Sequence, residues 1–159
     1  MAFHPGTGLA YVPGQNDATF YALDPDFEPN VGGQSTGTVN RPDAPPAPVF
    51  DPVGFLAAWD PATNSERWRI PLDTPRNGGT LATGENLLFS LKRDGWIFAH
   101  DATTGQVLWQ HRIGADPAAP ITYEVDGTQY VSVVTSAPGL PGRVWTFALD
   151  RSAPNPLGQ

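Results

Sequence analysis

The sequence predicts an all-β fold made of repeated blades, and three observations support this prediction. Glycine and proline are abundant, with 17 and 18 residues, and both break regular structure into short segments. No segment has the apolar periodicity of an amphipathic helix. An Ala-x-Asp pattern ends four apolar segments, with steps of 36, 41 and 49 residues between Asp24, Asp60, Asp101 and Asp150. A repeat of about this length, with strands and tryptophans, indicates the blades of a β-propeller.

The two middle copies of the repeat match without a gap over residues 58–68 and 99–109. In each copy the aspartate can accept a backbone N–H two residues on and close an Asx turn. Asn64 and Gly105 occupy equivalent positions where the chain must turn back, and both residue types tolerate a positive φ angle. Trp68 and Trp109 each follow their aspartate by eight residues, so we expect both to bridge from one blade to the next.

Strands are predicted, in order, where short apolar segments stand between turn signals. They cover residues 8–15, 19–23, 55–59, 66–72, 80–83, 86–91, 96–100, 106–113, 121–125, 128–135 and 142–149. Asn16 and Asp17 are predicted to form a turn between the first two strands. The Asp-Gly pairs at 94–95 and 126–127 predict hairpins.

Residues 1–150 are therefore predicted to form blades, interrupted by one irregular segment and followed by a tail at 151–159. Residues 25–53 contain seven prolines and few apolar residues, so we expect a long surface loop there. Blades of about 40–50 residues allow three to four blades, whereas a closed propeller needs about four to eight. We expect such a partial propeller to expose blade faces and sheet edges, and to self-associate when alone.

Composition and charge exclude several kinds of partner. The net charge is −7 and Lys92 is the single lysine, so we expect neither nucleic acid nor an anionic membrane surface as a partner. No segment approaches the roughly 18 apolar residues of a transmembrane helix. The chain has no cysteine, which excludes disulfides and thiolate metal sites within it. His4, His100 and His111 lack metal-ligand spacing, and we expect them to be strand or turn residues.

Several sequence blocks carry a more specific signal, at residues 3–13, 77–83, 86–89, 99–109, 119–123 and 126–133. Together they resemble the pyrroloquinoline quinone (PQQ)-dependent alcohol dehydrogenases, a quinoprotein family with an eight-bladed propeller. Residues 99–109, which read Ala-x-Asp-x-x-Thr-Gly-x-x-x-Trp, resemble the tryptophan-docking motif that locks one blade to the next in that family. The resemblance implies the C-terminal blades of such an enzyme. We therefore expect a fragment, or a gene model begun at an internal start.

The resemblance also implies the chemistry of the complete enzyme. Its cofactor is PQQ, with Ca²⁺ or a lanthanide ion as Lewis acid and an aspartate as general base for hydride removal from the alcohol. These catalytic and metal-binding residues belong to blades before Met1, so no catalytic residue and no metal ligand is assigned in this chain. The implied partners are an alcohol substrate, an electron acceptor (cytochrome c or a quinone) and the remaining blades. The implied location is the periplasm, although the chain carries no export signal.

Asn77, Gly78 and Gly79 are the candidate cofactor-binding residues, because the family's corresponding loop faces the propeller axis and approaches the quinone. Glycines permit close backbone approach, and an amide side chain can donate to quinone oxygens. A tight turn between blades explains the same glycine pair, and both interpretations stay open. Two departures from the family bear on this pocket. Arg76 stands where relatives often carry tryptophan, and residues 136–141 replace a Gly-Trp-Gly-Gly-like loop.

Two other functions are compatible with the repeat. One is a non-catalytic propeller scaffold of the kind that serves in bacterial outer-membrane protein assembly, where the repeat is purely structural. The other is an inactive fragment. The block at 77–83 favours the dehydrogenase, because a scaffold has no reason to keep an axial loop of this kind.

Overall fold

A computed structural model describes residues 1–29, 32, 36–41, 43–74, 77–137 and 140–148. These residues form β-strands joined by turns and loops. The strands are β1 (Ala2–His4), β2 (Leu9–Gln15), β3 (Tyr21–Leu23), β4 (Thr38–Asn40), β5 (Gly54–Asp60), β6 (Ser65–Leu72), β7 (Asn77–Ala82), β8 (Leu87–Lys92), β9 (Trp96–Asp101), β10 (Val107–Arg112), β11 (Ile121–Val125), β12 (Thr128–Ala137) and β13 (Leu140–Ala148).

The strands form three blades and one small hairpin within the described residues. The first blade is a four-stranded antiparallel sheet in the order β1-β2-β5-β6, and the second is the four-stranded meander β7-β8-β9-β10. The third blade contains β11-β12-β13. The prediction of an all-β partial propeller with about three to four blades is therefore confirmed.

The pairing in the first blade differs from the prediction at residues 8–23. We expected residues 8–15 and 19–23 to be joined by a short turn at Asn16 and Asp17, but β2 pairs with β5 and residues 16–53 form an excursion between them. The backbone N–H of Asn16 donates to the carbonyl of Val53 at 2.9 Å, and its Nδ2 donates to the carbonyl of Pro52 at 2.8 Å. These bonds hold together the two ends of a long excursion between β2 and β5. The favoured partner of β2 is thus remote in sequence.

The excursion itself contains a short hairpin that the sequence did not indicate. β3 pairs with β4, and β4 lies inside the segment 25–53 that was predicted to be a loop throughout. Asp24 follows β3 and accepts the backbone N–H of Asp26 at 3.0 Å, so its Asx turn is present. However, this copy of the repeat belongs to the excursion and ends no blade strand. The step from Asp24 to Asp60 is therefore not a blade period.

The core consists of two layers, one on each side of the second blade. β8 supplies both layers because its successive side chains point to opposite faces. Leu88 is fully buried against the first blade, while Phe89 and Leu91 are buried against the third. Complete burial of a leucine side chain contributes about 2 kcal/mol, so the second blade is stabilised from both sides.

The predicted turns are confirmed in both middle copies of the repeat. Oδ1 of Asp60 accepts the N–H of Ala62, and Oδ1 of Asp101 accepts the N–H of Thr103, both at 2.9 Å. The residues that reverse the chain have positive φ angles, 52° at Asn64 and 79° at Gly105.

Both tryptophans bridge blades as expected. Nε1 of Trp68, on β6, donates to the carbonyl of Ala102 in the second blade at 3.2 Å. Its ring lies directly beneath Gly105, where an added Cβ would be 3.0 Å from Cδ2 of the ring. Trp109, on β10, meets Phe147 of the third blade edge-on, with ring centroids 5.1 Å apart.

Candidate cofactor-binding site

The three candidate residues Asn77, Gly78 and Gly79 begin β7, the edge strand of the second blade. β7 is hydrogen-bonded to β8 on one side and lies beside β1 and β2 of the first blade. Blades of a propeller surround a central channel. We therefore expect the first strands of the blades, β1, β7 and β11, to lie nearest the channel. The structure brings the three candidates together on one such strand.

The two glycines form a β-bulge. Asn77 pairs with Lys92 and Thr80 pairs with Ser90, so Gly78 and Gly79 together lie opposite Leu91. Two residues facing one is the defining feature of a bulge, and bulges re-aim the backbone beside functional sites. Gly79 has a φ angle of 106°, which side chains other than that of glycine rarely allow.

Close packing gives both glycines a structural role. A Cβ added at Gly78 would lie 2.5 Å from the carbonyl oxygen of Pro117 and 3.0 Å from Cβ of Leu91. A Cβ added at Gly79 would lie 3.0 Å from Cβ of Ala119. The face of the bulge toward 117–119 is therefore filled by the protein.

Within its sheet β7 is hydrogen-bonded to β8 alone, so its other edge is open to partners outside the sheet. Edge strands present backbone N–H and C=O groups that are not used in the sheet. Quinone and carboxylate oxygens accept hydrogen bonds from such N–H groups. N–H groups of the segment 77–79 that point away from β8 could therefore serve as donors to PQQ, and the glycines permit close approach.

Charged side chains lie on both sides of the bulge. Nζ of Lys92 is 2.7 Å from Oδ1 of Asp73 and 3.2 Å from Oδ2 of Asp94. Burial opposes the charge of Lys92, but hydrogen bonds to the two carboxylates and their charges outweigh it, so the pKa of Lys92 is raised. The hydrogen bond from Lys92, together with its charge, lowers the pKa of Asp73. The position of Lys92 two residues before Asp94 was a signal in the sequence for one of its two ion pairs.

The histidines have partners within their own blades. Nδ1 of His4 accepts the N–H of Thr7 at 3.0 Å. His100 is buried, with Nε2 2.8 Å from Oγ of Ser90 and Nδ1 3.1 Å from the carbonyl oxygen of Gly105. His111 stacks on Trp109 with ring centroids 5.9 Å apart. Among the residues that the structure describes, no three His, Cys, Asp or Glu side chains are grouped to hold a metal ion.

The two predicted departures from the family fall partly outside the described residues. Arg76, Pro138 and Gly139 are not among those residues. Ser136 and Pro141, the first and last residues of the segment 136–141, line a cavity of about 320 Å³ between the second and third blades. Its other lining residues are Ile113, Gly114, Ala115, Thr135 and Arg143.

Fold and site define this molecule as part of a β-propeller whose blades are locked by docked tryptophans. The family model described as "Glucose/ethanol/alcohol dehydrogenase, beta-propeller domain" matches residues 48–131, more than half of the chain. The chain therefore belongs to this PQQ β-propeller dehydrogenase family, as the resemblance predicted.

Individual relatives agree with this assignment. The chain is 38% identical to the 1-butanol dehydrogenase (cytochrome c) of Thauera butanivorans, over 98% of this chain and 25% of that protein. It is also 38% identical to the quinohemoprotein alcohol dehydrogenase of Comamonas testosteroni, with the same coverage. The chain thus spans about a quarter of the length of these curated relatives.

Solved structures show the same fold. The crystal structure of quinohemoprotein alcohol dehydrogenase from Comamonas testosteroni superposes with a TM-score of 0.79 at 34% identity, over 98% of this chain and 26% of that chain. A europium-containing methanol dehydrogenase superposes with a TM-score of 0.69 at 30% identity, over 84% of this chain and 23% of that chain.

Proposed function

We propose that this chain forms blades of a PQQ-dependent dehydrogenase that oxidises alcohols by hydride transfer to the quinone. The observation that carries the proposal is the family match over residues 48–131, which includes the bulge at 77–79 on the edge of the second blade. The general base and the metal ligands are proposed to lie on other blades of the complete protein. The 159-residue chain alone is then inactive.

The chain's own part in the chemistry is binding and orientation. Those backbone N–H groups of the segment 77–79 that point away from β8 would donate to oxygens of the quinone at the open edge of β7. When bound, the quinone supplies the two-electron acceptor, and Ca²⁺ or a lanthanide ion supplies Lewis acidity. The segment 117–119 packs against Gly78 and Gly79. This packing would hold the backbone of the bulge in place before the ligand binds.

The partners follow from the same proposal. They are an alcohol substrate, an electron acceptor (cytochrome c or a quinone) and the remaining blades, and the proposed location is the periplasm. One relative carries cytochrome c in its name, and one similar structure is a europium-containing methanol dehydrogenase. The described residues include no helix long and apolar enough to cross a membrane.

Exposed apolar residues on the third blade support its contact with a further blade. Ile121 on β11, Val134 on β12 and Val144 on β13 are 60%, 48% and 71% exposed. Val134 and Val144 are direct cross-strand partners, so they form one patch. The corresponding layer of the second blade is buried against its neighbour.

Titration of the purified chain with PQQ, followed by tryptophan fluorescence, tests the proposal. We expect saturable binding, weakened about tenfold by Gly79→Ala, which corresponds to roughly 1.4 kcal/mol. Gly8→Ala is the matched control, because Gly8 also has a positive φ angle, 69°, but an added Cβ there meets nothing within 4 Å. Near-ultraviolet circular dichroism verifies that both variants keep their packing. A parallel dye-reduction assay with alcohol, PQQ and Ca²⁺ should show no turnover.

Two outcomes would contradict the proposal. Absence of saturable PQQ binding in a chain whose near-ultraviolet circular dichroism shows fixed packing would favour the scaffold, and absence in a chain without fixed packing would favour an inactive fragment. The reading frame upstream of the Met1 codon gives an independent test. An open frame encoding further blades and an export signal supports the dehydrogenase, whereas a stop codon and a ribosome-binding site directly before Met1 contradict it.

A further inference from the structure

Lys92 ends β8 and Arg93 follows it, and the two side chains form ion pairs with different segments of the chain. Successive side chains alternate between the faces of a strand. Leu88, four residues before Lys92, faces the first blade, and Leu91 faces the third. Lys92 is therefore on the side of the first blade, whereas Arg93, which follows the strand, forms its ion pair with Asp116 in the segment between β10 and β11.

Lys92 holds the segment that enters the bulge. Asp73 directly follows β6, the last strand of the first blade, and lies four residues before Asn77. Nζ of Lys92 is 2.7 Å from Asp73, and Asn77 is the register partner of Lys92. The lysine side chain is only 15% exposed, so its position is restricted by packing.

Arg93 holds the segment behind the bulge. Its Nε is 2.7 Å from Oδ1 of Asp116, and the N–H of Asp116 donates back to the carbonyl of Arg93 at 3.1 Å. Asp116 directly precedes Pro117, whose carbonyl oxygen closes the space beside Gly78. A shift of Asp116 would therefore move Pro117 and alter its contact with Gly78 in the bulge.

We propose that Lys92 and Arg93 are positioning residues for the segment 77–79: they fix the two segments between which the bulge lies. The inference rests on the proposed function in taking the segment 77–79 as a cofactor-binding site. The contacts that position this segment lie within the chain itself. Neither side chain is proposed to touch the quinone. Both act through carboxylates, Lys92 through Asp73 and Arg93 through Asp116.

Amide hydrogen–deuterium exchange on the 159-residue chain tests the positioning role directly. We expect Asp73→Asn and Lys92→Met to speed exchange of the peptide 77–82 by about threefold to fivefold, the effect of losing a partly screened ion pair. The Asp73 side chain is 78% exposed, so we expect Asp73→Asn to keep the fold. The Lys92 side chain is largely buried, and its substitution could disturb the packing around it. Arg93→Met should have a similar local effect, and Lys92→Arg should restore slow exchange.

The matched control is Arg41→Met, which removes an ion pair of 2.9 Å to Asp43 in the excursion. Unchanged exchange at 77–82 in Asp73→Asn, or equal acceleration in Arg41→Met, would overturn the inference. The same variants are titrated with PQQ, where we expect threefold to fivefold weaker binding, about 1 kcal/mol or less. If the wild-type chain binds no PQQ, the proposed function fails, while the exchange result still decides the positioning role.

Discussion

The indole N–H of Trp68 donates to the carbonyl oxygen of Ala102 at 3.2 Å, across the boundary between the first and second blades. Ala102 follows Asp101, so this bond links the tryptophan of one repeat to the Asx turn of the next. The same carbonyl accepts the hydroxyl of Tyr11 at 2.9 Å. The blades are thus joined through a turn whose shape is determined locally.

Truncation of Trp68 should weaken the contact between the first two blades and destabilise the chain. We expect Trp68→Ala to lower the free energy of unfolding by about 3 kcal/mol, from lost contacts and a cavity. Trp68→Phe should cost about 1 kcal/mol for the lost hydrogen bond. Urea unfolding followed by circular dichroism measures both. The control is Trp59→Ala, since Trp59 is 36% exposed and its loss should cost less. Equal losses at the two positions would contradict the docking role.

A methyl group at Gly105 should damage the same contact. Its φ angle is 79°, and an added Cβ would be 3.0 Å from the Trp68 ring. Gly8 is a matched control with φ of 69° and nothing within 4 Å of an added Cβ. Both alanine variants carry backbone strain of about 1–3 kcal/mol, but only Gly105→Ala adds the clash. We expect Gly105→Ala to be the less stable variant in urea. Equal stabilities of the two variants would show that the contact with the Trp68 ring does not contribute to the free energy of unfolding.

Burial of His100 should make stability depend on pH. Burial lowers the pKa of His100, and its hydrogen bond with the Gly105 carbonyl opposes that effect only partly. Because the folded-state pKa is below the unfolded value of about 6.5, the unfolded chain binds the proton first. Stability should be complete above about pH 6.5 and should fall as the pH drops below it. Urea unfolding between pH 8 and pH 5 measures this fall, and His100→Gln should reduce it. An equal slope in that variant would exclude His100 as the cause.

The apolar patch of the third blade should drive self-association of the isolated chain. We expect sedimentation velocity to show oligomers, and Val144→Lys to shift them toward the monomer because a charge then lies next to Val134. Val49→Lys is the control, since Val49 is 95% exposed in the excursion. A monodisperse wild-type monomer would refute the prediction, as would equal effects of the two lysine variants.

Much of the fold was predictable because its signals are local. Asx turns at Asp60 and Asp101 and positive φ angles at Asn64 and Gly105 depend on a few contiguous residues, and all were predicted correctly. Strand β11 was predicted with its observed bounds, and most others within a few residues. Apolar alternation between turn residues is enough for this, since it reports which side chains a strand buries.

The candidate site was only partly predictable. The glycine pair at 78–79 was visible in the sequence, but it is compatible with either a tight turn or a ligand contact. The bulge and the close approach of Pro117 became apparent only in the folded chain. The ion pairs Lys92–Asp73 and Arg93–Asp116 join residues up to 23 positions apart, and local sequence patterns do not indicate such distant pairs.

The sequence by itself determined the turns, most of the strands and the repeated docking motif, because these follow from the conformational preferences of neighbouring residues. Tertiary structure alone decided that β2 pairs with β5 instead of residues 19–23, and that β3 and β4 form a separate hairpin. It also decided that Gly78 rests against Pro117. The physical reason is that strand pairing and blade packing depend on how much apolar surface whole strand faces bury, which no short stretch of sequence reports. A pairing that buries more surface is favoured even when it closes a longer loop, because the entropic cost rises only slowly with loop length.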